Sequence, residues 1–113
     1  MPHFVIHCSE NILGIIAPAK LMQCVYDTAE DSRLFAEGDI KVRLQPFLLY
    51  NIGEKESFLH VFAYIMQGRD TLQKEMLSRS IIAALLKLLP DVPILSMNIM
   101  DFEKATYCNR SMI

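Results

Sequence analysis

The sequence contains no tryptophan, only 4 glycines and 5 prolines among 113 residues, and no excess of basic side chains. Because 52% of its residues are hydrophobic, the chain is neither disordered nor of low complexity. Eleven basic residues against thirteen acidic ones give a formal charge of −2, which excludes a general electrostatic attraction to nucleic acid. The length predicts a single domain over residues 1–113.

Disulfide pairs and long hydrophobic runs are also missing. The three cysteines, Cys8, Cys24 and Cys108, contain no C-x-x-C spacing, which disfavours a secreted disulfide framework and favours a cytoplasmic location. The longest apolar cluster, Ile81–Leu89, is interrupted by Lys87 and is far shorter than the roughly 20 residues of a membrane span. The N-terminus lacks the pattern of a signal peptide. We therefore expect a soluble protein with neither membrane nor nucleic-acid partners.

Four segments have the hydrophobic pattern of a β-strand. Phe58–Met66 is apolar on both faces, which predicts a strand buried on both sides. Pro46 places its own segment at an edge or a bend of the sheet. The tail from Glu103 to Ile113 is expected to be irregular or to form a short edge hairpin. The four predicted strands cover residues 3–8, 39–49, 58–66 and 94–102.

Two segments have the pattern of an amphipathic helix. The first begins near Pro18, a residue that suits the first helical turn. The second follows Asp70, an N-cap residue with Gln73 three positions later in capping-box register, and ends at Pro90. The apolar residues on the inner faces are expected to be Leu21, Val25 and Ala29 in the first helix, and Leu77, Ile81, Ala84, Leu85 and Leu88 in the second.

The predicted elements follow the order β-α-β twice, in halves of about residues 2–50 and 57–102. Two such units form a four-stranded sheet with two helices on one face, which is an α+β fold. The other face of the sheet also carries apolar residues, and the chain has no further element to cover it. We therefore expect an oligomer, since subunit interfaces are the more apolar kind of surface.

Pro2 is the first candidate for chemistry. Removal of an initiator methionine before a small residue such as proline would leave Pro2 with a free secondary amine. An α-amino group has a pKa of about 7.7–8.0, and burial beside cations would lower it toward neutrality. A neutral amine at that pH is an effective general base. The alternative is that proline here only protects the N-terminus.

A series of short motifs runs in order over nearly the whole chain. They are Met1-Pro2-His3-Phe4-Val5-Ile6, Cys8-Ser9-Glu10-Asn11-Ile12, Leu34-Phe35, Ile40-Lys41-Val42-Arg43, Phe58-Leu59-His60-Val61, Gly68-Arg69, Leu95-Ser96 and Tyr107-Cys108-Asn109-Arg110. Together with the double β-α-β order, this series resembles the 5-carboxymethyl-2-hydroxymuconate isomerases of the tautomerase superfamily.

The resemblance implies a homotrimer in which three four-stranded sheets enclose a barrel, and a reaction that needs no cofactor. It implies that Pro2 moves a proton between carbons of an unsaturated 2-oxo or 2-hydroxy acid. Arg69 and Lys41 would hold the substrate carboxylates, together with Arg43 on the same strand face as Lys41. Lys41 stands where the well-known bacterial isomerases carry arginine, so it keeps the charge but lacks the bidentate fork.

The same cations have a structural explanation as well. Lys41 and Arg43 fit the solvated face of an amphipathic strand, and Arg69 fits a pair with Asp70 or with another surface carboxylate. In the functional interpretation, Arg69 supplies positive charge beside the amides of a helix N-terminus, where anions bind well.

Metal and thiol chemistry are not expected. Two histidines on one strand face, His3 and His7, do not make a zinc site without a third ligand. Cys8 and Cys24 fall on apolar faces and are expected to be core thiols.

Three functions remain open. The first is isomerisation of 5-carboxymethyl-2-hydroxymuconate in aromatic-acid catabolism, with a small-molecule carboxylate as substrate. The second is tautomerisation of smaller enols such as phenylenolpyruvate, and the third is a trimeric binding protein without turnover. Both isomerase functions require removal of Met1, because Pro2 cannot be a base while Met1 is attached to its nitrogen.

Overall fold

The computed structural model describes every residue from 1 to 113, and its helices and strands correspond to the predicted elements. The strands are β1 (His3–Ser9), β2 (Lys41–Phe47), β3 (Phe58–Met66) and β4 (Ile94–Phe102). The helices are α1 (Pro18–Asp31) and α2 (Thr71–Leu88), with short 3-10 helices at Glu10–Gly14, Lys104–Thr106 and Arg110–Met112.

The four strands form one mixed sheet in the order β2-β1-β3-β4. β1 is parallel to β2, β3 is parallel to β4, and the two central strands β1 and β3 are antiparallel. Each parallel pair is connected through a helix, because parallel neighbours need a long crossover. The predicted α+β fold, a four-stranded sheet with two helices, is confirmed.

Both helices pack on the same face of the sheet. α1 begins with Pro18 and has no side-chain cap, whereas α2 begins with the predicted capping box. In that box the amide of Gln73 donates to Asp70 Oδ1 at 2.8 Å, and the amide of Asp70 donates to Gln73 Oε1 at 2.9 Å. The helix residues that enter the core are Leu21, Val25 and Ala29 of α1 and Leu77, Ile81 and Leu85 of α2.

The core lies between the helices and one face of the sheet. Phe4, Ile6 and Cys8 of β1 are fully buried there, and Leu59, Val61 and Ala63 of β3 are fully buried beside them. The alternate residues of these strands are only half-buried on the opposite side, which we call the open face. The expectation that β3 is buried on both sides is therefore wrong for the single chain, because none of its elements covers the open face.

Two segments differ from the sequence prediction in their limits or form. β2 covers Lys41–Phe47 rather than residues 39–49. The strand begins after Asp39 because the amide of Asp39 donates a hydrogen bond to the carbonyl of Ala36 at 3.1 Å, which holds Asp39 in a turn. β2 is an edge strand, as Pro46 indicates. The tail after β4 is irregular, with two 3-10 helices and no hairpin. None of the helices has the length and hydrophobicity to cross a membrane.

Candidate active site

Pro2 lies at one end of the sheet, where β1 and β2 begin and where β3 and β4 end. The strand register pairs His3 with Lys41 on β2 and with Tyr64 on β3. The turn that carries Arg69 follows β3 directly, so the topology brings it to this end as well. We call this region the Pro2 end of the sheet.

Pro2 is buried, and hydrogen bonding to β2 fixes its backbone. Its carbonyl accepts a hydrogen bond from the amide of Lys41 at 3.1 Å, which extends the parallel ladder by one residue beyond β1. Its nitrogen is part of a peptide bond while Met1 is attached, and an amide nitrogen has no basic lone pair. Pro2 therefore lies at the buried start of a strand, as expected, and its nitrogen is an amide while Met1 is attached.

Lys41 and Asp39 surround the N-terminus. The Met1 amino group lies 3.4 Å from Asp39 Oδ2, and Lys41 Nζ lies 3.9 Å from Asp39 Oδ1. Lys41 Nζ also donates to the Asp39 backbone carbonyl at 2.8 Å and lies 3.7 Å from Met1 Sδ. Asp39 therefore offsets part of the positive charge beside Pro2.

Arg43 and His3 form the second contact on this side. Arg43 Nη1 lies 3.1 Å from His3 Nδ1, and because a guanidinium can only donate, Nδ1 is the acceptor. Burial, then the charges of Arg43, Lys41 and the N-terminus, lower the pKa of His3, while Asp39 opposes them. His3 is consequently a neutral imidazole that orients Arg43 on the open face.

Arg69 faces the other side of the sheet in the single chain. Its Nη2 donates to the Leu34 carbonyl at 2.6 Å, and its Nη1 donates to the Met66 carbonyl at 3.2 Å. Its Cζ lies 5.1 Å from the centre of the Phe35 ring, and that ring packs edge-on against the buried Phe4. Arg69 thus connects the segment after α1 to the end of β3, and it does not pair with Asp70.

Sequence reasoning missed Asp39. The residue precedes β2, and its spacing of two and four from Lys41 and Arg43 places all three on one face if the strand is extended backward. Alternation therefore held the signal that a carboxylate belongs to the cationic group. The contact of His3 with Arg43 depends on strand pairing that the sequence does not specify.

The remaining candidate groups take no part in this region. Cys8 is fully buried in the core and Cys24 is partly buried against it, and burial raises the pKa of both thiols. His60 is held between Ser96 Oγ at 2.6 Å and Asn98 Oδ1 at 2.5 Å, on the open face. No group of three or more His, Cys, Asp or Glu side chains comes together in a way that could hold a metal ion.

Solved structures with the same architecture define the class of protein. A 5-carboxymethyl-2-hydroxymuconate isomerase from Deinococcus radiodurans R1 matches with a TM-score of 0.84 at 20% identity, over 96% of this chain and 88% of that one. A 5-carboxymethyl-2-hydroxymuconate delta-isomerase matches with a TM-score of 0.82 at 19% identity, over 97% and 87%. A fused 4-OT symmetric trimer matches with a TM-score of 0.80 at 14% identity, over 98% and 95%. These similarities establish the tautomerase fold.

The family follows from the sequence itself. The model of the 5-carboxymethyl-2-hydroxymuconate isomerase family matches residues 2–113, and the chain belongs to this family. It is therefore an isomerase of the tautomerase superfamily, as its motifs indicate. No curated protein gives a significant match.

Proposed function

We propose that this isomerase moves a proton within an unsaturated 2-hydroxy or 2-oxo acid, without a cofactor, and that Pro2 is its acid–base residue. The observation that carries the proposal is the burial of Pro2 at the start of β1, beside the cations Lys41 and Arg43. Family membership supports 5-carboxymethyl-2-hydroxymuconate as the substrate, in aromatic-acid catabolism in the cytoplasm.

In this proposal the reaction needs one base, which accepts a proton from the substrate and returns it to another atom of the same substrate. The free Pro2 amine accepts a proton from one substrate atom, and the resulting negative charge spreads over the dienolate to the 2-oxygen. The Pro2 ammonium then returns the proton to another carbon of the conjugated system. No atom or electron is gained or lost, so the reaction requires no co-reactant.

Lys41 and Arg43 would bind a substrate carboxylate and stabilise the dienolate charge. Arg69 uses two of its five N–H groups for the carbonyls of Leu34 and Met66, which leaves donors for a further carboxylate. Arg69 would bind the end of the substrate that is remote from Lys41 and Arg43, since its guanidinium lies on the helix side of the sheet.

We also propose a homotrimer whose three sheets enclose a barrel. The open face supports this proposal, because Val5, Phe62 and Tyr64 are half-buried there without any covering element. The fused 4-OT structures that share the fold are symmetric and asymmetric trimers. We expect light scattering to give about 39 kDa, three times the chain mass of 12.9 kDa. A monomer at micromolar concentration would contradict the trimer.

Phenylenolpyruvate is the second candidate substrate, and Asp39 favours it because a carboxylate beside Lys41 disfavours a polyanion. The function is tested by assaying protein whose intact mass shows that Met1 is removed, with both substrates, by ultraviolet absorbance. Turnover of either supports the acid–base proposal, and the faster one identifies the substrate. Binding of both without turnover would indicate a trimeric binding protein instead.

A further inference from the structure

Asp39 is the one carboxylate in direct contact with the cationic groups next to Pro2. Its Oδ2 lies 3.4 Å from the Met1 amino group and its Oδ1 lies 3.9 Å from Lys41 Nζ. The Asp39 side chain is 26% exposed, and its backbone is held by the turn to Ala36. The contact is therefore partly shielded from water and fixed in place.

Removal of Met1 changes the partner of this carboxylate. The Met1 nitrogen and the Pro2 nitrogen are joined by three bonds, so they are at most about 4 Å apart. The 3.4 Å contact of Asp39 Oδ2 with the Met1 nitrogen therefore puts this carboxylate within about 7.4 Å of the Pro2 nitrogen. When Met1 leaves, Asp39 loses the Met1 amine as a partner and keeps Lys41, whose Nζ lies 3.9 Å from Asp39 Oδ1.

Asp39 offsets one of the two positive side-chain charges on the Lys41 and Arg43 side of this region. Lys41 and Arg43 contribute two positive charges, His3 is neutral, and Asp39 removes one charge. The guanidinium of Arg69 donates hydrogen bonds to two backbone carbonyls on the helix side of the sheet. The other ionisable groups nearby are Tyr26 on α1, Tyr64 on β3 and the ion pair of Lys74 on α2 with Asp101 on β4.

We propose that Asp39 is a specificity-determining residue that makes the site prefer an acid with one carboxylate over acids with two or three. This inference rests on the proposed function of the Pro2 site and decides between its two candidate substrates. Each additional substrate carboxylate must approach a region where Asp39 has already offset one cation, so polyanions lose more affinity than monoanions.

The test compares Asp39→Asn with the parent, both with Met1 removed. Asp39→Asn keeps the size of the side chain and removes its charge. We expect kcat/KM for the tricarboxylate 5-carboxymethyl-2-hydroxymuconate to rise by about tenfold relative to kcat/KM for the monocarboxylate phenylenolpyruvate. We also expect the pKa of the Pro2 amine, followed by nitrogen-15 NMR, to fall by about one unit, because the ammonium loses an anionic neighbour.

Glu37→Gln is the matched control. It removes a carboxylate from the same loop, and Glu37 forms no ion pair. We expect this variant to change the ratio of the two kcat/KM values by less than about twofold, since the charge of Glu37 is exposed and screened. For the same reason, the pKa of the Pro2 amine should change by less than about 0.3 units. Equal effects of the two variants would overturn the proposal, because the effect would then be one of net charge alone.

The inference can fail separately from the proposed function. If the parent turns over neither substrate, calorimetric binding of propane-1,2,3-tricarboxylate and 3-phenylpropionate replaces the kinetic ratio. Tighter binding of the tricarboxylate by Asp39→Asn supports the role of Asp39, and an unchanged ratio overturns it. If Asp39→Asn does not assemble like the parent, Asp39→Ser provides the same measurement with a smaller side chain.

Discussion

The two β-α-β halves share one topology but differ in what they place at the start of their strands. In the first half, Asp39, Lys41 and Arg43 lie before and along β2. The topologically equivalent positions of the second half are Val92, Ile94 and Ser96. At these positions the first half therefore carries charged groups, while the second half carries uncharged ones.

The difference also extends to the residue that precedes each central strand. Pro2 precedes β1, and Ser57 precedes β3. A free amine can form only at Pro2, because β3 begins in the middle of the chain. The two halves thus share a frame, and the proposed chemistry depends on a free Pro2 amine that only the first half can supply.

The strongest test of this difference is a variant in which Met1 cannot be removed. We expect it to form the same oligomer and to lose activity by about 10²-fold to 10⁴-fold, since the lone pair of the Pro2 nitrogen stays in a peptide bond. Intact mass spectrometry and a turnover assay on one sample provide the measurement. Pro2→Ala is the control, because it keeps a primary amine after Met1 removal and should retain part of the activity.

Full turnover by protein whose intact mass includes Met1 would exclude Pro2 as the base. The first half would then contribute only binding groups, and the base would have to be sought among the histidines of β1 and β3.

The next largest effect is expected for Arg69. This residue lies in the second half, but its guanidinium donates a hydrogen bond to the carbonyl of Leu34, which follows α1 in the first half. We expect Arg69→Ala to lower kcat/KM by about tenfold to a hundredfold, the value of one charge-assisted contact of about 1.5–3 kcal/mol. Arg43→Ala should lower it less, because Arg43 is exposed and its recorded partner is a neutral histidine.

Thermal unfolding distinguishes the two roles of Arg69. Arg69→Lys keeps the charge but not the fork, so it should lower the melting temperature by leaving one of the two carbonyls without a donor. If Arg69→Ala has parental kcat/KM with every 2-hydroxydienoate tested, Arg69 is only a link between the halves.

The smallest effect is a pH dependence of stability that belongs to the first half alone. The folded state lowers the pKa of His3 below its ordinary value of 6.5. The unfolded chain therefore binds the proton more readily, so His3 favours folding fully above about pH 6.5, and this contribution is lost as pH falls toward the folded-state pKa.

Urea unfolding of the parent and of His3→Gln at pH 7.5 and below 6.5 measures this contribution. We expect the parent to lose more stability on acidification than His3→Gln does. His7→Gln removes a histidine from the same face of β1 and serves as the control. This variant should still lose the stability that His3 contributes when the pH is lowered. Identical slopes in the parent and His3→Gln would show that neither burial nor the neighbouring cations lower the pKa of His3 in the folded protein.

Local patterns were enough to predict most of the fold. The bounds of β3 and β4 agree with the sequence prediction, because each is a run of apolar residues between clear turn signals. The start of α1 at Pro18 and the capping box at Asp70 also agree, since both depend on residues within one helical turn.

The contacts of the candidate site were less accessible to sequence reasoning. The structural alternative for Arg69 is a pair with Asp70 or another surface carboxylate, whereas its guanidinium donates to the Leu34 carbonyl, 35 positions away in the chain. His3 meets Arg43 across 40 positions. Such contacts depend on which strands become neighbours, and a backbone carbonyl has no side-chain signature. The position of Asp39, by contrast, is predictable from its alternation with Lys41 and Arg43.

The hydrogen bond from the Lys41 amide to the Pro2 carbonyl has a consequence for rate. A chain terminus is ordinarily the most mobile part of a protein, and a catalytic amine placed there would lose most encounters to misalignment. The sheet ladder extends to Pro2, and the proline ring fixes the torsion about its N–Cα bond. In the proposed mechanism the entropy of positioning the amine is therefore lost during folding, so each substrate would meet a base with a high effective molarity.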